Sequence, residues 1–206
     1  MLPTPDYDRF DYTKVYEPSE DTYVFLDLLE NDMPYLKDSF VTPVILEVGS
    51  GSGLISTFLK KNILPASFVL ATDISMDACK ITQRIASQNS IQIDSINTSM
   101  AHGIRSGLVD LLLCNPPYVP TEKLPEPPAD GNWIYFALDG GKNGMEFTNK
   151  LLNNLNTILS DKGIAYILFC KSNHPEIVTV PGFKKTKVFE RQAGWEILSI
   201  YRFERN

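Results

Sequence analysis

Short apolar runs that end in glycine or a polar residue, alternating with segments of helical periodicity, constrain this chain more than any other feature. Val44-Ile-Leu-Glu-Val48 is followed by Gly49, Ser67-Phe-Val-Leu-Ala-Thr72 by Asp73, and Val109-Asp-Leu-Leu-Leu-Cys114 by Asn115. Such alternation is the signature of a parallel sheet covered on both faces. Gly163-Ile-Ala-Tyr-Ile-Leu-Phe169 reads as a fourth strand, almost continuously apolar as a strand buried on both sides is. Glu196-Ile-Leu-Ser-Ile-Tyr-Arg-Phe203 is expected to be the last strand, with weaker candidates over residues 91–99 and 183–189. Helical periodicity covers residues 19–31, 53–62, 75–89 and 143–159, with Ser19 and Ser75 placed as N-caps. Three prolines exclude helix and central strand from residues 121–131, which are expected to form an exposed loop. The predicted fold class is α/β, a doubly wound, seven-stranded and mostly parallel sheet.

Length and charge narrow the classes further. A chain of 206 residues with 43% hydrophobic residues is long enough to bury a full core, and a single domain over 1–206 is expected. The longest apolar run, Ile164 to Cys170, is far shorter than the roughly 20 residues of a membrane span, and the first eleven residues hold no signal-peptide core. No membrane association is expected, and the location expected is cytoplasmic, with the nucleus as a second possibility. Cys79, Cys114 and Cys170 are odd in number and never spaced as CxxC, so neither a disulfide framework nor a zinc knuckle is expected. With 19 Lys and Arg against 25 Asp and Glu, the net charge of −6 argues against direct nucleic-acid binding.

Two constellations carry chemistry. Glu47-Val-Gly-Ser-Gly-Ser-Gly53 stands at a strand-to-helix junction, where Gly49, Gly51 and Gly53 let backbone approach a ligand and the helix start presents free N–H groups. The spacing is neither a dinucleotide fingerprint nor a phosphate-cradling loop. Asp73, at the end of the next strand, is placed to accept hydrogen bonds from ribose hydroxyls. Glu47 adds an acceptor suited to an ammonium group. A ligand with a ribose and a cation but no phosphate points to S-adenosylmethionine.

The second constellation is Asn115-Pro116-Pro117-Tyr118 at the end of a buried strand. Two prolines remove two backbone donors, leaving the Pro116 carbonyl free to accept, and Asn115 offers a side-chain oxygen close by. Together they can hold the N–H bonds of a planar –NH₂ group while Tyr118 stacks on the conjugated plane. An amide or aromatic amine nitrogen is a poor nucleophile because its lone pair is delocalised, and orienting it toward an electrophilic methyl favours transfer.

These residues resemble the class I S-adenosylmethionine-dependent methyltransferases, whose fold is Rossmann-like. More narrowly, they resemble the HemK-like enzymes that methylate the glutamine amide in the GGQ motif of translation release factors. Val15-Tyr-Glu-Pro-Ser-Glu-Asp-Thr22, the glycine turn, Thr72-Asp73, the NPPY tetrapeptide and Gly140-Gly-Lys-Asn-Gly144 match the short eukaryotic and archaeal branch, which lacks the separate N-terminal helical domain of its bacterial relatives. The resemblance implies that Thr22, Glu47, Gly49 and Asp73 contact the cofactor and that Asn115 borders both cofactor and substrate. Ser99-Met100 stand where the family usually has Asp-Leu near the adenine. It also implies that the strand over residues 91–99 is the outer strand of the sheet. A small zinc-binding activator subunit, forming a heterodimer, is the partner expected.

Other candidates weigh less. His102 and His174 have no metal-ligand spacing to Cys, His or carboxylate, so no metal is expected. Ser50, Ser52 and Ser56 lack a His–Asp set for nucleophilic catalysis. Lys184, Lys185, Lys187 and Arg191 read first as a solvated face and second as a contact to an acidic or RNA-associated partner. Methylation of adenine N6 or of protein lysine, and a non-catalytic cofactor-binding scaffold, remain as alternatives. Net charge speaks against the first, the acceptors for a planar –NH₂ against the second, and the intact NPPY against the third.

Overall fold

The computed structural model describes residues 1–206. In chain order, α1 spans Glu20–Asn31, α2 Met33–Ser39, β1 Val44–Val48, α3 Leu54–Asn62, β2 Phe68–Asp73 and α4 Met76–Gln88. There follow β3 Asp94–Asn97, β4 Val109–Cys114, α5 Glu146–Ile158, β5 Leu159–Cys170, β6 Phe183–Ala193 and β7 Glu196–Arg205. The strands make one seven-stranded sheet in the order β3-β2-β1-β4-β5-β7-β6. Its first five members are parallel, and β7 runs antiparallel to both of its neighbours. This is the doubly wound, mostly parallel sheet expected from the alternation of apolar runs.

The winding direction reverses at β1. The chain runs outward through β2 and β3, then resumes on the other side with β4 and β5, and such a reversal opens a crevice beyond the carboxyl ends of the two central strands. Glu47 of β1 lies opposite Leu113 of β4, so the loops that follow these strands leave the sheet side by side.

Alternate side chains of each strand feed two cores, as the two-residue period dictates. Ile45, Val69, Leu111, Leu113, Tyr166 and Leu168 pack beneath α1 to α4. Leu46, Val48, Leu112, Ala165, Ile167 and Phe169 pack against α5, which contributes Leu151, Leu152, Leu155 and Ile158. Four helices thus cover one face and a single helix the other. On that second face the β2–β3 end is bare: Phe68 and Ile96, 51% and 37% exposed, lie on the same side of their strands as buried Leu70.

The N-terminal helix is tied to the far end of the sheet. Arg191 of β6 pairs with Glu20 at 3.2 Å and with Asp27, Arg202 pairs with Asp32 at 3.3 Å, and the Tyr35 hydroxyl donates to Glu204 at 2.8 Å. Two lysines of the basic cluster are engaged as well. Lys185 donates to the carbonyls of Pro175 and Val178 at 2.5 and 2.6 Å, and Lys187 pairs with Glu190 at 2.7 Å.

Ser75 caps α4 by accepting the Ala78 N–H at 3.3 Å, while the Ser19 N–H donates to Thr22 Oγ1 at 3.4 Å across the first turn of α1. Some elements differ from the expectation. α2 is a seven-residue helix with Pro34 in its first turn, a position where proline is tolerated. β5 starts at Leu159, ahead of the apolar run, and its first pairing to Val109 is followed by a register shift. β6 continues past Phe189 through Glu190, Arg191 and Gln192, polar residues that still pair with β7.

Candidate active site

The first loop at the crevice is the glycine turn after β1. The N–H groups of Gly49 and Ser50 donate to the Thr72 carbonyl at 2.8 and 3.1 Å, anchoring the turn on β2. The Asp73 carboxylate accepts from the Gly51 N–H at 3.0 Å and the Ser75 N–H at 2.8 Å, joining the turn to the start of α4. Burial raises the Asp73 pKa against these backbone bonds. A Cβ added at Gly49 or Gly51 meets nothing within 4 Å, so this stretch of backbone faces open space.

Gly53 is different. Its φ is +71°, and a Cβ there falls 2.6 Å from Thr82 Cγ2, so the glycine permits the close packing of α3 on α4.

Glu47 is 2% exposed and accepts the Ser56 N–H at 3.2 Å. Burial pushes its carboxyl up to about 8, against the pull of the hydrogen bond from the Ser56 N–H. A buried carboxylate whose own surroundings supply no cation is a setting that favours a positively charged ligand group.

The second loop is the NPPY turn after β4. Asn115 Nδ2 donates to Asp21 Oδ2 at 2.9 Å, whereas its Oδ1 is buried and has no partner. The Pro116 carbonyl accepts no hydrogen bond from the protein. The Tyr118 hydroxyl donates to Glu196 at 3.2 Å, at the start of β7, and burial raises its pKa. The turn is stapled from behind by Asn173, 4% exposed, whose Nδ2 donates to the carbonyls of Tyr118 and Asn143 at 2.9 and 3.0 Å. Gly144 completes this packing: at φ +68° its Cα lies so close that a Cβ would fall 2.0 Å from the Tyr118 oxygen.

Between the two loops lies a cavity of about 460 Å³, within the range of small-molecule sites. Glu47, Gly49, Gly51 and Asp73 form its wall on the β1–β2 side, and Ser99 and Met100 continue that wall after β3. Thr22, Asn115 and Pro116 form the opposite wall. Gly53 and Tyr118 stand outside the lining: the one serves helix packing, and the other aims its hydroxyl at β7. Thus the fold gathers nine of the eleven residues assigned from the sequence into one crevice, and the stacking role assigned to Tyr118 has no counterpart in the cavity wall.

Several lining residues carry no assignment from the sequence. Tyr16 and Asp21 enter from the N-terminal segment, and Leu124, Trp133 and Phe136 from the chain after the NPPY turn. His102 also reaches the cavity, whereas His174 sits apart and pairs with Glu176 at 3.1 Å. Asp21 was legible only as an acid at a helix start, and Asn173 had no signal, because their partners lie far away in sequence.

The residues present fit S-adenosylmethionine. Glu47 suits its ammonium group, Asp73 its ribose hydroxyls, and the open backbone at Gly49 and Gly51 leaves room for close approach.

Comparison with known proteins agrees with the geometry. Residues 22–125 match the family described as "Methyltransferase small domain". The Schizosaccharomyces pombe protein named eRF1 methyltransferase catalytic subunit mtq2 is 39% identical over 100% of this chain and 96% of its own length. The Mus musculus protein named Methyltransferase HEMK2 is 36% identical over 100% of this chain and 98% of its own. Among solved structures, the E. cuniculi Mtq2–Trm112 complex, described as responsible for methylation of the eRF1 translation termination factor, superposes with a TM-score of 0.70 at 23% identity, covering 94% of this chain and 99% of that one. A SAM-dependent methyltransferase from Aquifex aeolicus gives a TM-score of 0.59 at 13% identity, covering 95% of this chain and 100% of that one. With relatives this similar over its whole length, and with the sheet of the fold, this chain belongs to the HemK-like family of class I methyltransferases.

Proposed function

We propose that this protein transfers a methyl group from S-adenosylmethionine to the side-chain amide nitrogen of the glutamine in the GGQ motif of a class-1 translation release factor. The observation that carries the reading is the pair of free acceptors at one cavity wall: Asn115 Oδ1, buried without a partner, and the adjacent Pro116 carbonyl. A buried acceptor left unpaired costs about 1–3 kcal/mol. A primary amide offers two N–H donors and is the group that relieves both. The names of the relatives, an eRF1 methyltransferase among them, support the same substrate.

When bound, the cofactor supplies an electrophilic methyl group on a sulfonium. The protein's own residues do the rest. Glu47 holds a cation, and Asp73, fixed by the Gly51 and Ser75 N–H groups, holds the hydroxyls of a ribose. Asn115 and Pro116 orient the acceptor amide and draw electron density back along its N–H bonds toward nitrogen. Orientation of this kind contributes several kcal/mol to a group transfer. No side chain is required as a base, since the methylated nitrogen is acidic enough to release its proton to water.

The partner belongs to the same reading. The bare β2–β3 end of the sheet, with Phe68 and Ile96 exposed, suits a small subunit, and a zinc-binding activator in a heterodimer is the one proposed. The Mtq2–Trm112 likeness supports a heterodimer without bearing on zinc. A release-factor substrate also goes with the cytoplasmic location proposed.

The test is methyl transfer from labelled cofactor to a release factor carrying GGQ and to its Gln→Ala variant. Label is expected on the first alone. Asn115→Ala is expected to abolish transfer while calorimetric cofactor affinity survives, and label on both release factors, or undiminished turnover by Asn115→Ala, would refute the assignment.

A further inference from the structure

Asp21 belongs to none of the cofactor or substrate contacts assigned above, yet it is the one protein group that Asn115 Nδ2 touches. We propose that Asp21 is a positioning residue that sets which end of the Asn115 amide faces the substrate. The inference rests on the glutamine reading, which it deepens.

An asparagine side chain presents either a double donor or a double acceptor, and a half-turn about its last torsion exchanges them. For a substrate that offers N–H bonds only the oxygen will serve. Asp21 makes the choice by sign, because an ionised carboxylate accepts and never donates. With Nδ2 toward Asp21, a hydrogen bond of 2.9 Å forms and Oδ1 is left free. With the amide reversed, Oδ1 would stand against the carboxylate, two acceptors would meet without a proton between them, and a pair of donors would face the substrate's own donors.

The carboxylate can enforce this because it is itself held. Asp21 is 5% exposed, its Oδ1 accepts the Thr22 N–H at 2.8 Å, and the Tyr16 hydroxyl donates to the same oxygen at 3.2 Å. Its charge has a second effect. Hydrogen bonds in series polarise one another, so a negative acceptor on Nδ2 makes Oδ1 a stronger acceptor for the substrate amide. The Tyr-Glu-Pro-Ser-Glu-Asp-Thr segment at residues 16–22 therefore acts on the substrate side of the cavity through Asn115.

The test is an exchange of the two side chains. Asp21→Asn lets the Asn115 amide reverse, and kcat on the GGQ substrate is expected to fall about 100-fold, the scale of losing one oriented polar contact. Cofactor affinity and melting temperature are expected to stay close to those of the parent. Asn115→Asp alone sets two carboxylates face to face and is expected to be at least as impaired. In the double variant D21N/N115D, the amide introduced at position 21 donates to the carboxylate introduced at position 115, whose other oxygen still faces the substrate. Its kcat is expected to recover at least tenfold over the worse single variant, which a purely structural role for either residue does not predict. Parent-like kcat in Asp21→Asn, or a double variant no better than the worse single, overturns the proposal.

A second readout separates this outcome from failure of the glutamine reading. If the parent protein does not label GGQ, that reading falls, and the orientation is then read without substrate from the side-chain amide proton resonances of Asn115, assigned through their loss in Asn115→Ala. Asp21→Ala is expected to shift them toward the values of an unbonded amide; unchanged resonances overturn the proposal on their own.

Discussion

Glu47 shows how far a single side chain is set by its surroundings. Its carboxyl, pushed up to about 8 by burial, titrates near 4.3 once the chain unfolds. The native state therefore holds a proton that the unfolded state has released over the interval between those values, and stability declines as pH rises through it. The melting temperature of the ligand-free protein is expected to fall from pH 5 to pH 8, and Glu47→Gln is expected to flatten that fall. A positively charged ligand beside Glu47 favours the ionised form, so cofactor binding at pH 7 is expected to release a proton, read as a calorimetric enthalpy that changes with the ionisation enthalpy of the buffer. A buffer-independent enthalpy would sink that role for Glu47. Residues of this type were legible in the sequence because Glu47, Asp73 and Asn115 lie on or just beyond strands whose apolar pattern is clear. Asp21 and Asn173 were not, since each acts on a partner brought near only by the sheet: Asp21 meets Asn115 across 94 positions and Asn173 meets the Tyr118 carbonyl across 55.

At the level of elements, the glycines divide the work of the two loops. Gly53 lets α3 pack on α4 and stands outside the cavity, while Gly144 lets the chain pass against the Tyr118 carbonyl. Forcing a side chain into a left-handed position costs about 1–3 kcal/mol, or roughly 2–4 °C of Tm per kcal/mol in a chain of this size. Gly53→Ala is expected to lower Tm by that scale with turnover by the folded protein retained. Gly144→Ala is expected to lower Tm and also cut kcat, because the displaced carbonyl belongs to the NPPY turn. Equal turnover in both variants, measured well below their melting temperatures, would count against this division. The strands around the site followed from their apolar runs, but the far edge was harder to read. β6 shifts register against β7 between Lys187 and Phe189, and this interrupts the alternation that marks a strand. α2 is short and follows α1 after a single residue, too little chain for its periodicity to stand out.

The whole molecule is finished unevenly. Four helices seal one face of the sheet and one helix the other, so Phe68 and Ile96 meet water at an edge made of a four-residue strand. An uncovered edge invites pairing with another chain. The protein expressed alone is expected to be poorly soluble or inactive, gaining both properties with the proposed activator subunit, and Ile96→Asp is expected to weaken the complex in a co-purification assay. Good solubility and full activity of the isolated protein would argue against a partner at this edge. The net charge of −6, which in the sequence spoke against nucleic acid, agrees with a protein substrate approached by the loops around the cavity. The ties between α1 and the end of the sheet carry one more consequence. A ribosome makes α1 well before β6 and β7, yet Glu20 and Asp27 are gripped by Arg191, and Asp32 by Arg202, on those two strands. Contacts so distant along the chain form slowly, and until β6 and β7 have been synthesised the helix that carries Asp21 lacks its anchorage.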